Sequence, residues 1–482
     1  MAPFSPQALT PRKRQIEKSI EKADSIIRSG TLGINKRNFY GSIKRTRPRL
    51  SHDCQAKEQD DVKKVDVYDF DENGEALRES VFSRLIKPHE IGFPNPPGTN
   101  ICWMNASLQI ILGMRCVIDD LEYPGNGSPL SRNHLSSILQ SFLDVLRQYR
   151  RGRLLPVHKN LSNLRAALST LDSGFACEYQ QDAPEFLIRL LDKFREDFYE
   201  MGKSENNNGE TIPLKELSLN NCNGSFTQSC GNKRRVNPIC DNLQFSMKEN
   251  YCCTSCGMQS EKSQEHLALY VDVPVEKEAC TSVKSALEQY MKTHIRELRC
   301  EKCEGAQCQV NTVFTQLPRY LLIQLKRYTY LEHLTQKITN LIAIPLELNV
   351  GNVVDSNVIL PKPLPTDQEK ENDINAENEV TEPTINKKHG YLEEEAENYD
   401  YKYCYRLTGI LSHHGDNPNT GHYVADVFQS IPQRWYHYDD ENVESVGEDE
   451  VLDESREKSG YLFVYTYRHL HEQLAFKPSD GF

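Results

Sequence analysis

Apolar positions recur at helical spacing early in the chain and at strand spacing later. Residues 102–111 place Met104, Leu108 and Ile111 at i, i+4 and i+7, which predicts a helix with a buried stripe. Residues 134–148 carry Leu135, Ile138, Leu139, Phe142, Leu143 and Leu146 on one side, and residues 181–198 carry Phe186, Leu187, Leu190, Leu191 and Phe194. Both patterns predict helices. Strand signals dominate after residue 315. The runs at 320–325, 342–348, 405–411, 422–427, 435–438 and 461–467 predict buried or half-buried strands.

Two segments break this pattern. Residues 1–85 are charge-rich, and a run at 16–27 is their one weak amphipathic stretch, so a disordered N-terminal region is expected. Pro361, Pro363 and Pro365 lead into an acidic stretch, and residues 352–400 read as a disordered insertion. The folded domain is then expected at 86–470, with a tail at 471–482. With 482 residues the chain can bury a large core in more than one subdomain. Its 38% hydrophobic content and mean hydropathy of −0.64 fit a folded body diluted by polar segments.

The net charge of −12 argues against nucleic-acid binding over the general surface. The N-terminus has no apolar core of a secretory signal, and no run of about 18 apolar residues occurs, so no membrane partner is expected. The basic clusters Arg12-Lys13-Arg14 and Lys44-Arg45-Thr46-Arg47-Pro48-Arg49 are candidate import signals, which gives nucleus and cytoplasm as the expected location. Fifteen cysteines in such a chain point to metal ligands, catalysis and burial before disulfides.

Cys253-Thr254-Ser255-Cys256 and Cys300-Glu301-Lys302-Cys303 form a pair of CxxC knuckles. Each turns two sulfurs toward one point, and two together supply the thiolate tetrahedron of structural zinc. Cys252 is a poorer ligand by spacing. A filled tetrahedron leaves no open position, so the ion has a structural role and no catalytic cofactor is expected.

Cys102 stands where a turn enters the apolar helix, with Asn100 as the expected N-cap. Backbone N–H groups at such a helix start favour a thiolate and can face an oxyanion. Read alone, Cys102 is more readily a structural core cysteine. Far along the chain, His422 follows a Gly/Asn/Pro turn, and Asp439-Asp440 closes the next strand. A strand, a turn and a return strand would bring Asp439 beside His422, giving a base and its orienting carboxylate for a cysteine nucleophile.

Several boxes then fall in one order. They are Cys102-Trp103-Met104-Asn105-Ala106-Ser107-Leu108-Gln109, Gln180-Gln181-Asp182-Ala183-Pro184-Glu185-Phe186-Leu187, Leu317-Pro318-Arg319-Tyr320, Gly421-His422-Tyr423-Val424 and Gly460-Tyr461-Leu462-Phe463-Val464-Tyr465. In this combination the chain resembles the ubiquitin-specific proteases over residues 88–470, and its acidic insertion and closing strand look most like the ubiquitin-specific protease 37 subgroup. The resemblance implies an α+β, papain-like fold with a helical thumb, a β palm and zinc-ribbon β fingers. It implies a deubiquitinating thiol protease that acts after the C-terminal glycine of ubiquitin through an acyl-enzyme. Cys102 would be the nucleophile, His422 the base and Asp439 the orienting acid, with Asp440 a secondary polar group. Asp182 and Glu185 would face the basic ubiquitin tail, and Gly421 would line its channel.

One departure bears on rate. The position five residues before the nucleophile, where the family carries an oxyanion-donating Asn, holds Pro97, which has no N–H. Asn95 and Asn100 flank it as the remaining oxyanion candidates. The alternative is a ubiquitin-binding pseudo-protease with weakened or absent turnover. Lys370-Glu371-Asn372, in the acidic insertion, is a candidate motif for a degradation receptor.

Overall fold

The run after Cys102 is apolar almost all round, and a helix of that kind belongs inside a protein rather than on its surface. In the computed structural model it forms α1 (Cys102–Gly113), and eleven of its twelve residues are buried. The structure describes residues 69–70, 76–77, 86–124, 135–206, 237–273, 282–331, 334–364, 401–417 and 420–476. The run at 16–27 and the motif at 370–372 lie outside them.

Around α1 lie α2 (Arg115–Glu122), α3 (Ser137–Arg150), α4 (Leu154–Leu168) and α5 (Ala183–Asn206). Helix α3 starts at 137 because the Ser136 hydroxyl accepts the Leu139 N–H and caps it. Helix α5 starts at 183 because Asp182 caps it, accepting the Glu185 N–H at 2.9 Å. Pro184 sits in its first turn, where no intrahelical donor is lost. Phe186, Leu187, Leu190, Leu191 and Phe194 then bury the face that the sequence marks.

Further helices are α6 (Pro238–Leu243), α7 (Val283–Met291), α8 (Glu448–Val451), α9 (Glu454–Ser459) and α10 (Arg468–Phe476). The strands β1 (Asp69–Phe70) and β2 (Ala76–Leu77) form a small antiparallel unit of their own. The rest run in order as β3 (Phe245–Cys253), β4 (Gln259–His266), β5 (Leu269–Asp272), β6 (His294–Glu297), β7 (Gln307–Gln316), β8 (Tyr320–Lys326), β9 (Tyr328–Leu331), β10 (Leu334–Lys337), β11 (Glu347–Asn349), β12 (Val354–Ile359), β13 (Cys404–Asn417), β14 (Thr420–Gln429), β15 (Arg434–Asp439), β16 (Asn442–Val446) and β17 (Gly460–Tyr467). An eight-stranded sheet has the order β16-β15-β14-β13-β17-β8-β5, with β11 also on β13. A five-stranded sheet has the order β12-β7-β3-β4, with β6 also on β7. Strands β9 and β10 pair separately. Helix α1 packs against α5 on one side and β14 on the other, so the eight-stranded palm meets the helical thumb across it.

Three expected boundaries move. The run at 342–348 is a strand only in β11, because Pro345 cannot donate to a ladder. Upstream of it, the Ile342 N–H goes instead to the Glu457 carbonyl. The supposed insertion opens with ordered chain: β12 pairs in parallel with β7, and Val354, Val358 and Leu360 pack on the core. Ordered chain therefore runs on to residue 364. Helix α10 carries the domain through 476, because Leu470 and Leu474 are buried one turn apart. No helix among the described residues is long and apolar enough to cross a membrane.

Candidate active site

Cys102 is the first residue of α1 and is 3% exposed. The chain reaches it through a left-handed residue, Asn100 at φ 48°. Asn100 is not the cap: Ile101 holds that position, and the Asn100 amide donates to the Glu178 carbonyl at 2.9 Å. The loop is held instead by Asn95, whose Oδ1 accepts the Ile101 N–H at 3.1 Å and the Thr99 hydroxyl at 2.9 Å. The Asn95 Nδ2 donates to Asp440 Oδ2 at 2.9 Å.

The β14–β15 hairpin brings His422 and Asp439 together. Ala425 pairs with Tyr438, so the next residue along β15 falls toward the His422 end of β14. His422 Nε2 lies 2.5 Å from Asp439 Oδ1. The imidazole also hydrogen bonds with the Cys102 thiol, and this bond, with the Asp439 bond, raises its pKa to about 9 against the opposing pull of burial. The ordinary imidazole value is about 6.5. Asp440, at φ 52°, lies behind this pair, its Oδ2 3.9 Å from His422 Nε2. Its other oxygen accepts from Asn105 Nδ2 at 2.8 Å. One carboxylate thus ties the loop before Cys102, the helix after it and the hairpin carrying His422.

Asn105 went unassigned in the sequence, though a signal was present. Asn105, Ser107 and Gln109 are polar residues in a helix apolar on every side, and all three are buried. Such groups need partners. Asn105 donates to the Phe93 carbonyl at 3.2 Å and Gln109 to the Ile91 carbonyl at 2.9 Å, strapping residues 91–95 to α1. Gln180 was also unassigned, and its Nε2 lies 3.8 Å from Cys102 Sγ.

The expected tail-binding residues lie at the start of α5 and on β14. Besides capping α5, Asp182 accepts the Tyr461 hydroxyl at 3.1 Å, and burial raises its pKa. Glu185 is exposed and pairs with Arg189 at 3.2 Å. Gly421 has φ 151°, and a Cβ there would lie 2.4 Å from the His414 carbonyl oxygen and 2.5 Å from His413 Nε2. Glycine is therefore required where β14 meets the buried His413 imidazole. His413 is held neutral, its pKa lowered to about 3 by burial and by Lys337.

The four knuckle cysteines converge, and Cys252 stays outside the group. The sulfurs of Cys253, Cys256, Cys300 and Cys303 all lie within 4.8 Å of one another. Cys253 and Cys303 are 3.6 Å apart, and Cys256 and Cys300 are 3.7 Å apart. A zinc tetrathiolate with bonds of about 2.3 Å has sulfur–sulfur edges of about 3.8 Å. The donor set therefore fits zinc without rearrangement. N–H groups of Cys256 and Ser255 aimed at Cys253 lower its pKa, while hydrogen bonds from the neighbouring sulfurs raise that of Cys303, so the four sulfurs share protons among themselves.

The sequence profile described as Ubiquitin carboxyl-terminal hydrolase matches residues 92–465. Ubiquitin carboxyl-terminal hydrolase 37 of Gallus gallus is 26% identical over 266 residues, covering 54% of this chain and 26% of that protein. The Homo sapiens protein of the same name is 27% identical over 266 residues, covering 55% and 24%. Ubiquitin carboxyl-terminal hydrolase 29 of Homo sapiens is 26% identical over 276 residues, covering 57% and 29%. The matched stretch spans about a quarter of the length of these relatives. Among solved structures, a SAGA Ubp8/Sgf11/Sus1/Sgf73 DUB module bound to ubiquitin aldehyde is similar in fold, with a TM-score of 0.53 and 19% identity over 79% of this chain and 70% of that one.

Proposed function

The chain belongs to the ubiquitin carboxyl-terminal hydrolase family, and on that premise we propose that it is a thiol protease cleaving the bond after the C-terminal glycine of ubiquitin. The observation that carries this reading is the His422–Asp439 contact of 2.5 Å beside a Cys102 thiol at a helix start. With Nε2 committed to Asp439, the other ring nitrogen serves the thiol. Cys102 Sγ, its proton already passed to His422, attacks the glycine carbonyl carbon. The carbon–nitrogen bond breaks, the amine leaves with the proton from His422, and a thioester remains. Water then loses a proton to His422 and attacks the thioester; the carbon–sulfur bond breaks, His422 returns that proton to the sulfur, and the released acid loses its own proton to solvent. Asp439 keeps the imidazole in one tautomer throughout.

Exposed Glu185 and the Asp182 carboxylate would accept from basic side chains of the tail, and Gly421 would give the terminal glycines room. Zinc on Cys253, Cys256, Cys300 and Cys303 would hold the fingers closed as a structural ion. The basic N-terminal clusters support a nuclear and cytoplasmic location, and Lys370-Glu371-Asn372 supports control by a degradation receptor. The test of the catalytic reading is turnover of a ubiquitin C-terminal aminocoumarin. Wild type is expected to release the dye, and Cys102→Ala to lose at least about 10⁴-fold in rate. Ubiquitin binding without turnover by the wild type would instead support a pseudo-protease.

A further inference from the structure

The loop before the nucleophile offers little to an oxyanion. Pro97 has no N–H, and one N–H of each neighbouring side-chain amide is already engaged, that of Asn100 by the Glu178 carbonyl and that of Asn95 by Asp440. The Ile101 N–H is taken by Asn95 Oδ1. What faces the sulfur comes from elsewhere in the fold. Gln180 Nε2 reaches Cys102 Sγ at 3.8 Å, and among the described residues it is the side-chain amide recorded against that thiol.

We propose that Gln180 is a catalytic residue, the side-chain donor of the oxyanion hole, acting with the Cys102 backbone N–H in place of a donor from the loop. The inference rests on the protease reading above. When Cys102 Sγ bonds to the carbonyl carbon, the carbonyl π pair moves onto oxygen. That oxygen is attached to the carbon the sulfur has just reached, so it enters the gap between Sγ and Nε2. A donor now 3.8 Å from the sulfur can then come within about 3 Å of the oxyanion. The pair returns to carbon when the amine leaves, and Gln180 gains and loses no proton. The first position of α1 supplies the second donor, since its N–H has no intrahelical acceptor.

Gln180 is also held in place, as such a donor must be. Its segment is bolted to the nucleophile loop from both sides. Asn100 donates to the Glu178 carbonyl at 2.9 Å, and Arg165 Nη2 donates to the carbonyls of Thr99 and Cys177, each at 3.3 Å. Two residues on, Asp182 caps α5 and accepts from Tyr461 on β17. The backbone that presents the amide is therefore fixed, and a preorganised donor is the condition for a large effect.

The experiment compares wild type, Gln180→Ala and the isosteric Gln180→Glu in the full chain, with three ubiquitin probes. For ubiquitin aminocoumarin, both variants are expected to lower kcat about a hundredfold, with KM within about twofold. Ubiquitin aldehyde, whose adduct carries the tetrahedral oxygen, should lose affinity by a similar factor. Ubiquitin propargylamide forms a vinyl thioether without an oxyanion, so its labelling of Cys102 should stay within about threefold of wild type. The proposal is overturned if kcat stays within about threefold of wild type, or if only KM rises. It is also overturned if propargylamide labelling falls in step with turnover, since Gln180 would then position the thiol. A wild type that binds ubiquitin and never turns over removes the protease reading itself, a result distinct from all of these.

Discussion

The palm and the fingers are both largely antiparallel sheets, yet different forces hold them. In the palm, all eight residues of β17 are buried, and its sequence is one apolar and aromatic run between β13 and β8. In the fingers, β4 is a charged edge strand with seven of its eight residues exposed. The fingertip's own buried cluster consists of Cys253, Cys300 and Cys308, with Tyr251 against it. A two-layer body needs an apolar face to bury, and the fingertip has almost none. Thiols stand where a core would be. Cys102, His422 and Asp439 sit on helix α1 and the palm strands β14 and β15, not on the fingers.

Removing the metal would test this contrast most severely. Cys256→Ser with Cys303→Ser should abolish bound zinc, and a structural site of this kind contributes about 10 kcal/mol or more to local folding. Amide exchange should then accelerate at the fingertip, around residues 250–262 and 294–310, while β13, β14 and β17 stay protected. Uniform loss of protection would mean the two sheets are one cooperative unit. A smaller effect should come from core truncation. Phe463→Ala empties fully buried volume in β17 and should destabilise the domain by about 3–5 kcal/mol in urea melts. Glu261→Ala, on exposed β4, should stay within about 0.5 kcal/mol.

The finest test concerns charge within the palm. The His422 pKa is raised to about 9, so its protonated form persists up to that pH and is lost above it. The leaving amine needs that proton, so kcat/KM should fall as pH rises through about 9. Asp439 is one of the groups that raise this value. In Asp439→Asn the alkaline limb should therefore move toward the ordinary imidazole range, and kcat should fall about a hundredfold or more through loss of the tautomer lock. An unmoved limb would show that Asp439 does not set the imidazole's charge.

Much of the fold was legible wherever a local rule sufficed. The helix at 181–198 and the strands at 320–325 and 461–467 announce themselves through spacing, and they appear as α5, β8 and β17. The CxxC knuckles were legible because two sulfurs on one turn face one point regardless of what surrounds them. Reading went wrong where partners decide. Pro345 divides an apolar run that looks continuous, and β12 is a strand only because β7 offers it an edge. Asn100 looks like a cap, but Ile101 holds that position without a side-chain cap, and Asn95 braces the loop through the Ile101 N–H. Gln180 and Asn105 stood in plain view inside the motifs, without any local feature to say what they touch.

The sequence by itself determined the chemistry available: one cysteine at a helix start, a histidine after a turn, a carboxylate pair ending a strand and four thiols in two knuckles. Periodicity and short-range geometry fix these, and both are written in neighbouring residues. Only the tertiary structure decided which groups meet. The Cys102 helix, the Gln180 segment and the His422–Asp439 hairpin are distant in the chain, and hydrogen bonds bring Gln180 to 3.8 Å from Cys102 and Asp439 to 2.5 Å from His422. Reach of that precision comes from strand register, helix capping and the Asp440 clamp acting together, and no spacing along the chain encodes it.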